Sequence, residues 1–397
     1  MLNRSLRLTV AGTVVAASCA AAAVGLEAQG VKISDPTSVV MIVNRDSNDI
    51  AFMDIKTRKM VGSVFLGNNV NPHMVMMSPD GRYVVTGGTR ANKAFIIDTK
   101  TLQLVKTIPV DIAPEHLAFS PDSRWYYQGN PDGDSISVID MQSLSKIKTI
   151  PGFAEPLNVT FLPDGSKAYV GNYGSHWVGV IDVRRHELIK KIQIADVPGV
   201  AKLDPDKYLG EIHGINIAMP SPDGKYLYAA DGTLGVVGVI DPREDKVIKH
   251  IRVGKDPWRI YMSHDGRYGI TPNNGDETIS IIDLRSNTVA ATLEAGPDMT
   301  GVNFAAGKAF VISSTSGFVY VYDMGSLKPA GRIKMGTNIQ LETATTDTKD
   351  EKLYLAESTN HEVIIIDAKT NGIERVKNVG LFPWGTHIMD SKDNYCH

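Results

Sequence analysis

The fold is decided by the stretch Met74-Val-Met-Met-Ser-Pro-Asp-Gly-Arg-Tyr-Val-Val-Thr-Gly-Gly-Thr-Arg-Ala-Asn-Lys-Ala-Phe-Ile-Ile-Asp98 and the apolar run at 104–108 that follows it. It divides into four short runs rich in β-branched and aromatic residues, at 74–77, 83–86, 94–98 and 104–108. Turn signals separate them. In Ser78-Pro-Asp-Gly81 the proline presets the first turn dihedral, and Asp and Gly supply the rest. Strands this short, bounded by turns at even spacing, make an all-β unit.

The unit repeats. An apolar pair, mostly β-branched or aromatic, followed by Asp recurs as Phe52-Met-Asp54, Ile96-Ile-Asp98, Val138-Ile-Asp140, Val180-Ile-Asp182, Val239-Ile-Asp241, Ile281-Ile-Asp283, Val321-Tyr-Asp323 and Ile365-Ile-Asp367. The spacings are 44, 42, 42, 59, 42, 40 and 44 residues. The turn phrase recurs ahead of most copies, as Ser120-Pro-Asp-Ser123, Leu162-Pro-Asp-Gly165, Ser221-Pro-Asp-Gly224 and Ser263-His-Asp-Gly266, with worn versions later. A period near 42 residues with four strands is that of a propeller blade. No 3.6-residue apolar stripe supports a helical solenoid. The first Asp phrase lacks a preceding turn, and the turn near Ser391 has a strand before it but none after. A C-terminal strand at 386–390 therefore completes the N-terminal blade. The expectation is a single all-β propeller of eight four-stranded blades over 38–394, with seven blades as the alternative.

The bulk properties fit. The chain has 397 residues, 43% hydrophobic and 21% charged, with formal net charge -3. That suits a domain with a buried core, and no basic field points to nucleic acid. The N-terminus differs: Arg4 and Arg7 precede an apolar, small-residue run to Leu26. This reads as a secretory signal over 1–28, which predicts a periplasmic or secreted protein without a membrane span after cleavage. An uncleaved anchor and a lipid-bearing Cys19 in Ala16-Ala-Ser-Cys19 are the alternatives. Cys19 falls in the signal, so the mature chain keeps only Cys396, in a tail at 395–397, and has no intrachain disulfide.

The Ser-Pro-Asp-Gly-x-Tyr and Val-Ile-Asp phrases resemble the YVTN-type propeller repeat of exported prokaryotic proteins, over 38–394. Eight blades behind a signal also resemble the cytochrome d1-heme-domain-like propellers, which implies a place in a periplasmic redox pathway. The terminal Cys396-His397 lacks the first Cys of Cys-x-x-Cys-His, so no c-type heme motif is present.

Propeller sites gather where the segments before each inner strand open on the channel. Those segments contain Asn71-Pro-His73, Pro114-Glu-His116, Glu211-Ile-His213, Pro257-Trp-Arg259 and Trp384-Gly-Thr-His387. His73, His116, His213, Arg259 and His387 are therefore the candidate cofactor-binding residues. The four imidazoles converging on the axis would suit copper, another transition metal or a heme-like iron. Each histidine also has a plainer reading, as a polar link between neighbouring blades. His116, Arg259 and His387 stand four residues before a turn serine, and His73 five before. His176 and His361 fall in loops on the same face. The long spacing marks an insertion at 195–211 whose Asp204, Asp206 and Glu211 offer hard-cation ligands. Cys396-His397 offers a soft pair.

Three functions compete: a binding or accessory protein for a redox pathway, holding a metal, a heme-like cofactor or a periplasmic redox partner protein; a copper-type oxidoreductase; and a cofactor-free interaction scaffold. No phosphate loop, nucleophile triad or His-Glu-x-x-His motif supports a hydrolase or kinase.

Overall fold

The structure is a computed structural model, and it describes residues 33–194, 212–349 and 351–393. The signal read at 1–28, the insertion at 195–211 and the Cys396-His397 tail lie outside the described residues.

Each repeat phrase has a physical job. In the turn, Ser78 Oγ donates to Asp80 Oδ1 at 2.6 Å and accepts from Tyr83 N at 3.0 Å. Gly81 takes φ +70°, a left-handed conformation that favours glycine. The Ser–Asp bond recurs at Ser120–Asp122, Ser221–Asp223 and Ser263–Asp265. The Asp that ends each third strand caps the following turn: Asp98 Oδ1 accepts from Lys100 N and Thr101 N, both at 3.0 Å. Such backbone N–H donors hold Asp54, Asp182 and Asp367 below the usual carboxylate range.

The strands form eight antiparallel four-stranded sheets, so the ring has eight blades and not seven. Inner strands run down the channel from a mouth face to a turn face. The blade 1 sheet takes Val39–Asn44, Asp49–Asp54 and Met60–Phe65 from the N-terminal region and Pro383–His387 from the C-terminal region. The expected closure is therefore present, with its strand starting three residues earlier than the spacing from Ser391 suggests.

The core sits between blades. Buried residues fall into eight clusters among the described residues, one for each blade–blade contact. Val40 and Ile42 of blade 1 pack on Tyr354 and Val363 of blade 8, which closes the ring. Asp393, fully buried, locks this closure from the turn face. Its carboxylate accepts from Phe304 N and Thr346 Oγ1, both at 2.8 Å, and lies 2.8 Å from His264 Nε2. One side chain thus ties the chain end to blades 6, 7 and 8. No helix among the described residues is long and apolar enough to cross a membrane.

Candidate metal centre at the channel mouth

The site begins with a backbone frame. The inner segments of five blades open with a proline, namely Pro72, Pro114, Pro156, Pro257 and Pro383. The residue before each, Asn71, Ala113, Glu155, Asp256 or Phe382, has φ between 47° and 56°. The left-handed kink turns the chain into the channel, and the proline fixes its exit direction. The residues that follow, His73, Glu115, Leu157, Trp258 and Trp384, stand at one level around the mouth.

This frame brings His73, Glu115 and His116 together. One ligand atom from each lies within 4.8 Å of the others. The imidazoles of His73 and His116 are 5.2 Å apart between centroids, edge to face. His116 Nε2 is 3.8 Å from Glu115 Oε2. Both histidines are buried, and the Glu115 side chain keeps 30% of its surface exposed. Burial pushes the Glu115 carboxyl up to about 7, although Arg45 nearby pulls it down and Asp132 adds to the rise. Arg45 is held for that role: Nε and Nη2 donate to Asn71 Oδ1 at 3.2 and 2.7 Å, and its guanidinium lies 4.2 Å from the Trp384 ring centre. Trp384 in turn packs 5.5 Å from His73.

A cavity of about 380 Å³ opens above this group, bordered by His73, Glu115 and His116 on one side and Tyr173 and Trp258 on the other. Two imidazoles and a carboxylate suit a borderline transition metal, with open positions toward the cavity. At bond lengths of about 2.0–2.2 Å, tetrahedral ligand atoms stand roughly 3.4 Å apart, close to the 3.8 Å between His116 Nε2 and Glu115 Oε2, so a small inward shift of the side chains would suit an ion. Glu115 would bind as the carboxylate, which means losing the proton that burial favours.

The structure brings two of the four candidate histidines into this centre. His213 stands on the far rim, stacked on Tyr173 at 5.7 Å with Nδ1 3.0 Å from Asp256 Oδ1. His387 lies deeper. It pairs with Met41, the third residue of its neighbouring strand, at the level where blade 3 has Ala118 opposite Tyr127. It is thus two residues, roughly 7 Å, below His116. Counting back from the turn serine fails here, because Met389, not Ser391, occupies the place that Ser78 holds in blade 2. Full burial drives the His387 imidazole down to about 3, so it is neutral. Arg259 sits at the level of His116 on the opposite arc, in blade 6, and is 1% exposed. The loop histidines link blades: His176 Nδ1 is 2.7 Å from buried Asp231 Oδ2, and His361 Nδ1 accepts from Phe382 N at 3.1 Å. Glu115, Tyr173 and Trp258 are missing from the candidates that the sequence suggests. Counting forward from the strand-opening prolines, and not back from the turn serines, finds Glu115 and Trp258.

No family model matches the sequence, and no curated protein sequence matches it. In contrast, 1671 solved chains are similar in structure. One is dihydro-heme d1 dehydrogenase NirN in complex with DHE, at TM-score 0.73 and 19% identity, covering 89% of this chain and 76% of that one. Another is Kuenenia stuttgartiensis hydrazine synthase, at TM-score 0.56 and 20% identity, covering 79% of this chain and 97% of that one. At these identities the likeness is one of fold: the ring of blades is shared.

Proposed function

We propose that this protein is an exported propeller that holds a transition metal, or a cofactor bearing one, at its channel mouth as an accessory protein of a redox pathway. One observation carries the reading: the buried His73 and His116 meet Glu115 at the floor of a cavity. The donor set is nitrogen-rich with one carboxylate, which suits copper, zinc or iron(II) and not calcium or magnesium. The ion would supply Lewis acidity or electron transfer when bound. The chain's own residues do the rest. His73 and His116 offer lone pairs, Glu115 offers charge, and Arg45 and Trp384 hold the group in place. Tyr173 and Trp258 give a flat ligand two aromatic surfaces. The shared fold of NirN, a dihydro-heme d1 dehydrogenase solved in complex with DHE, is consistent with a metal-bearing tetrapyrrole here.

The test is elemental analysis and an absorption spectrum of the protein purified from its native host. A near-stoichiometric transition metal or a visible chromophore, lost in H116A, supports the reading. Metal-free, colourless protein contradicts it.

A further inference from the structure

The metal ligands occupy the arc of blades 2 and 3. On the arc of blades 5 and 6, the leftover buried polar atoms of the inner segments are all of one kind, while His250 Nε2 and the acceptor Asn273 Oδ1 are left over on later strands of those blades. Asn216 Nδ2, Trp258 Nε1, and Arg259 Nε and Nη2 are buried and make no hydrogen bond among the described residues. All four are donors. Arg259 carries a charge it cannot shed, and no carboxylate among the described residues forms an ion pair with it. The rings of Trp258 and Tyr261 lie 5.9 and 5.8 Å from its guanidinium carbon. They offer a weak attraction to the cation but no acceptor. A buried cation without an acceptor is costly, and such a site is completed by a ligand that supplies one.

The two Arg259 atoms are informative together. Nε and Nη2 form one edge of the guanidinium, with parallel N–H directions spaced to meet the two oxygens of a carboxylate. We infer that Arg259 anchors a second binding site in this channel, for a carboxylate or a similar planar oxyanion. Its neighbour Trp258 borders the same cavity as His73 and His116, across from them. The carboxylate therefore comes either as a free anion or as the acidic edge of a larger ligand that spans the mouth. No bound metal is required, because the donors are there in the protein alone.

The test uses full-length, metal-free protein. Oxalate is titrated by calorimetry, and iron protoporphyrin IX and its dimethyl ester are titrated by absorbance. The wild type should bind oxalate or the porphyrin acid, and R259Q should weaken that binding by about tenfold or more. R259K keeps the charge but loses the flat two-donor edge, so it should fall between the two. Arg259-dependent oxalate binding assigns the site to a free anion. A comparable loss on esterifying the porphyrin, mirrored in R259Q, assigns it to the acidic edge of a larger ligand. If R259Q does not fold, wild type and R259K decide. No binding of either acid by the wild type, or equal binding by wild type and both variants, overturns the inference. A parallel copper titration of R259K reads the His73–Glu115–His116 centre separately, so failure of one site is distinguishable from failure of the other.

Discussion

Two arcs of one channel carry opposite chemistry on nearly the same backbone. Blades 2 and 3 present Pro72-His73 and Pro114-Glu115-His116, while blade 6 presents Pro257-Trp258-Arg259. Each follows a left-handed residue and opens an inner segment. The first arc offers imidazole lone pairs and a carboxylate, which suits a cation. The second offers N–H donors and a fixed positive charge, which suits an anion. The repeat makes the backbone positions equivalent, and function enters through the side chains that differ at one level of the ring.

Removing the histidines of the first arc should have the largest effect. The double variant H73A/H116A should lose more than about a hundredfold in affinity for copper(II) by calorimetry, since even partners that only support metal ligands are worth tens-fold. Carboxylate binding at Arg259 should change little. Loss of both together would mean that the arcs are one site.

A control lies on the other face. D393A removes the buried acceptor of Phe304 N and Thr346 Oγ1, which should cost about 3 kcal/mol in denaturant unfolding. Metal affinity at the mouth, measured well below the midpoint, should stay within about twofold. A large loss of metal affinity would show that the mouth depends on the chain-end lock.

The smallest effect is in pH. His387 titrates at about 3 in the folded protein, below its ordinary 6.5, so its contribution to stability is present above pH 6.5 and is lost as pH falls toward 3. Glu115 is raised from 4.5 to about 7, so its contribution is present below pH 4.5 and is lost as pH rises through 7. Between pH 4.5 and 6.5 the two slopes oppose each other in the metal-free protein. E115Q removes one of them, and stability should then fall on acidification by about 1.4 kcal/mol per pH unit at most. Equal pH profiles for wild type and E115Q would remove the charged, buried character assigned to the first arc. Metal affinity should also weaken as pH drops below about 7, because the ion must displace the Glu115 proton.

The ring is legible in the sequence because turn chemistry is local. Ser-Pro-Asp-Gly and the Asp phrases act through bonds to residues two to five positions away, so their spacing alone reports blades. The site is legible only in part, because it depends on register between strands. His73 and His116 stand out as residue types, but Glu115 joins their cluster only through the proline frame that aligns it with His73. The sequence reading sets His387 too high because the blade 1 turn departs from the pattern: Ser391 N donates to Ile388 O, and Ser391 Oγ accepts from Asp393 N. That Arg259 Nε and Nη2 lack an acceptor among the described residues depends on what surrounds them, which no motif encodes.

The most direct measurement is anomalous diffraction at the copper and zinc edges from crystals of the full chain grown with each metal. One strong peak is expected at the mouth, within bonding distance of His73 and His116 nitrogens and a Glu115 oxygen. A well-ordered channel with no peak there, at saturating metal, would contradict a metal centre at the mouth.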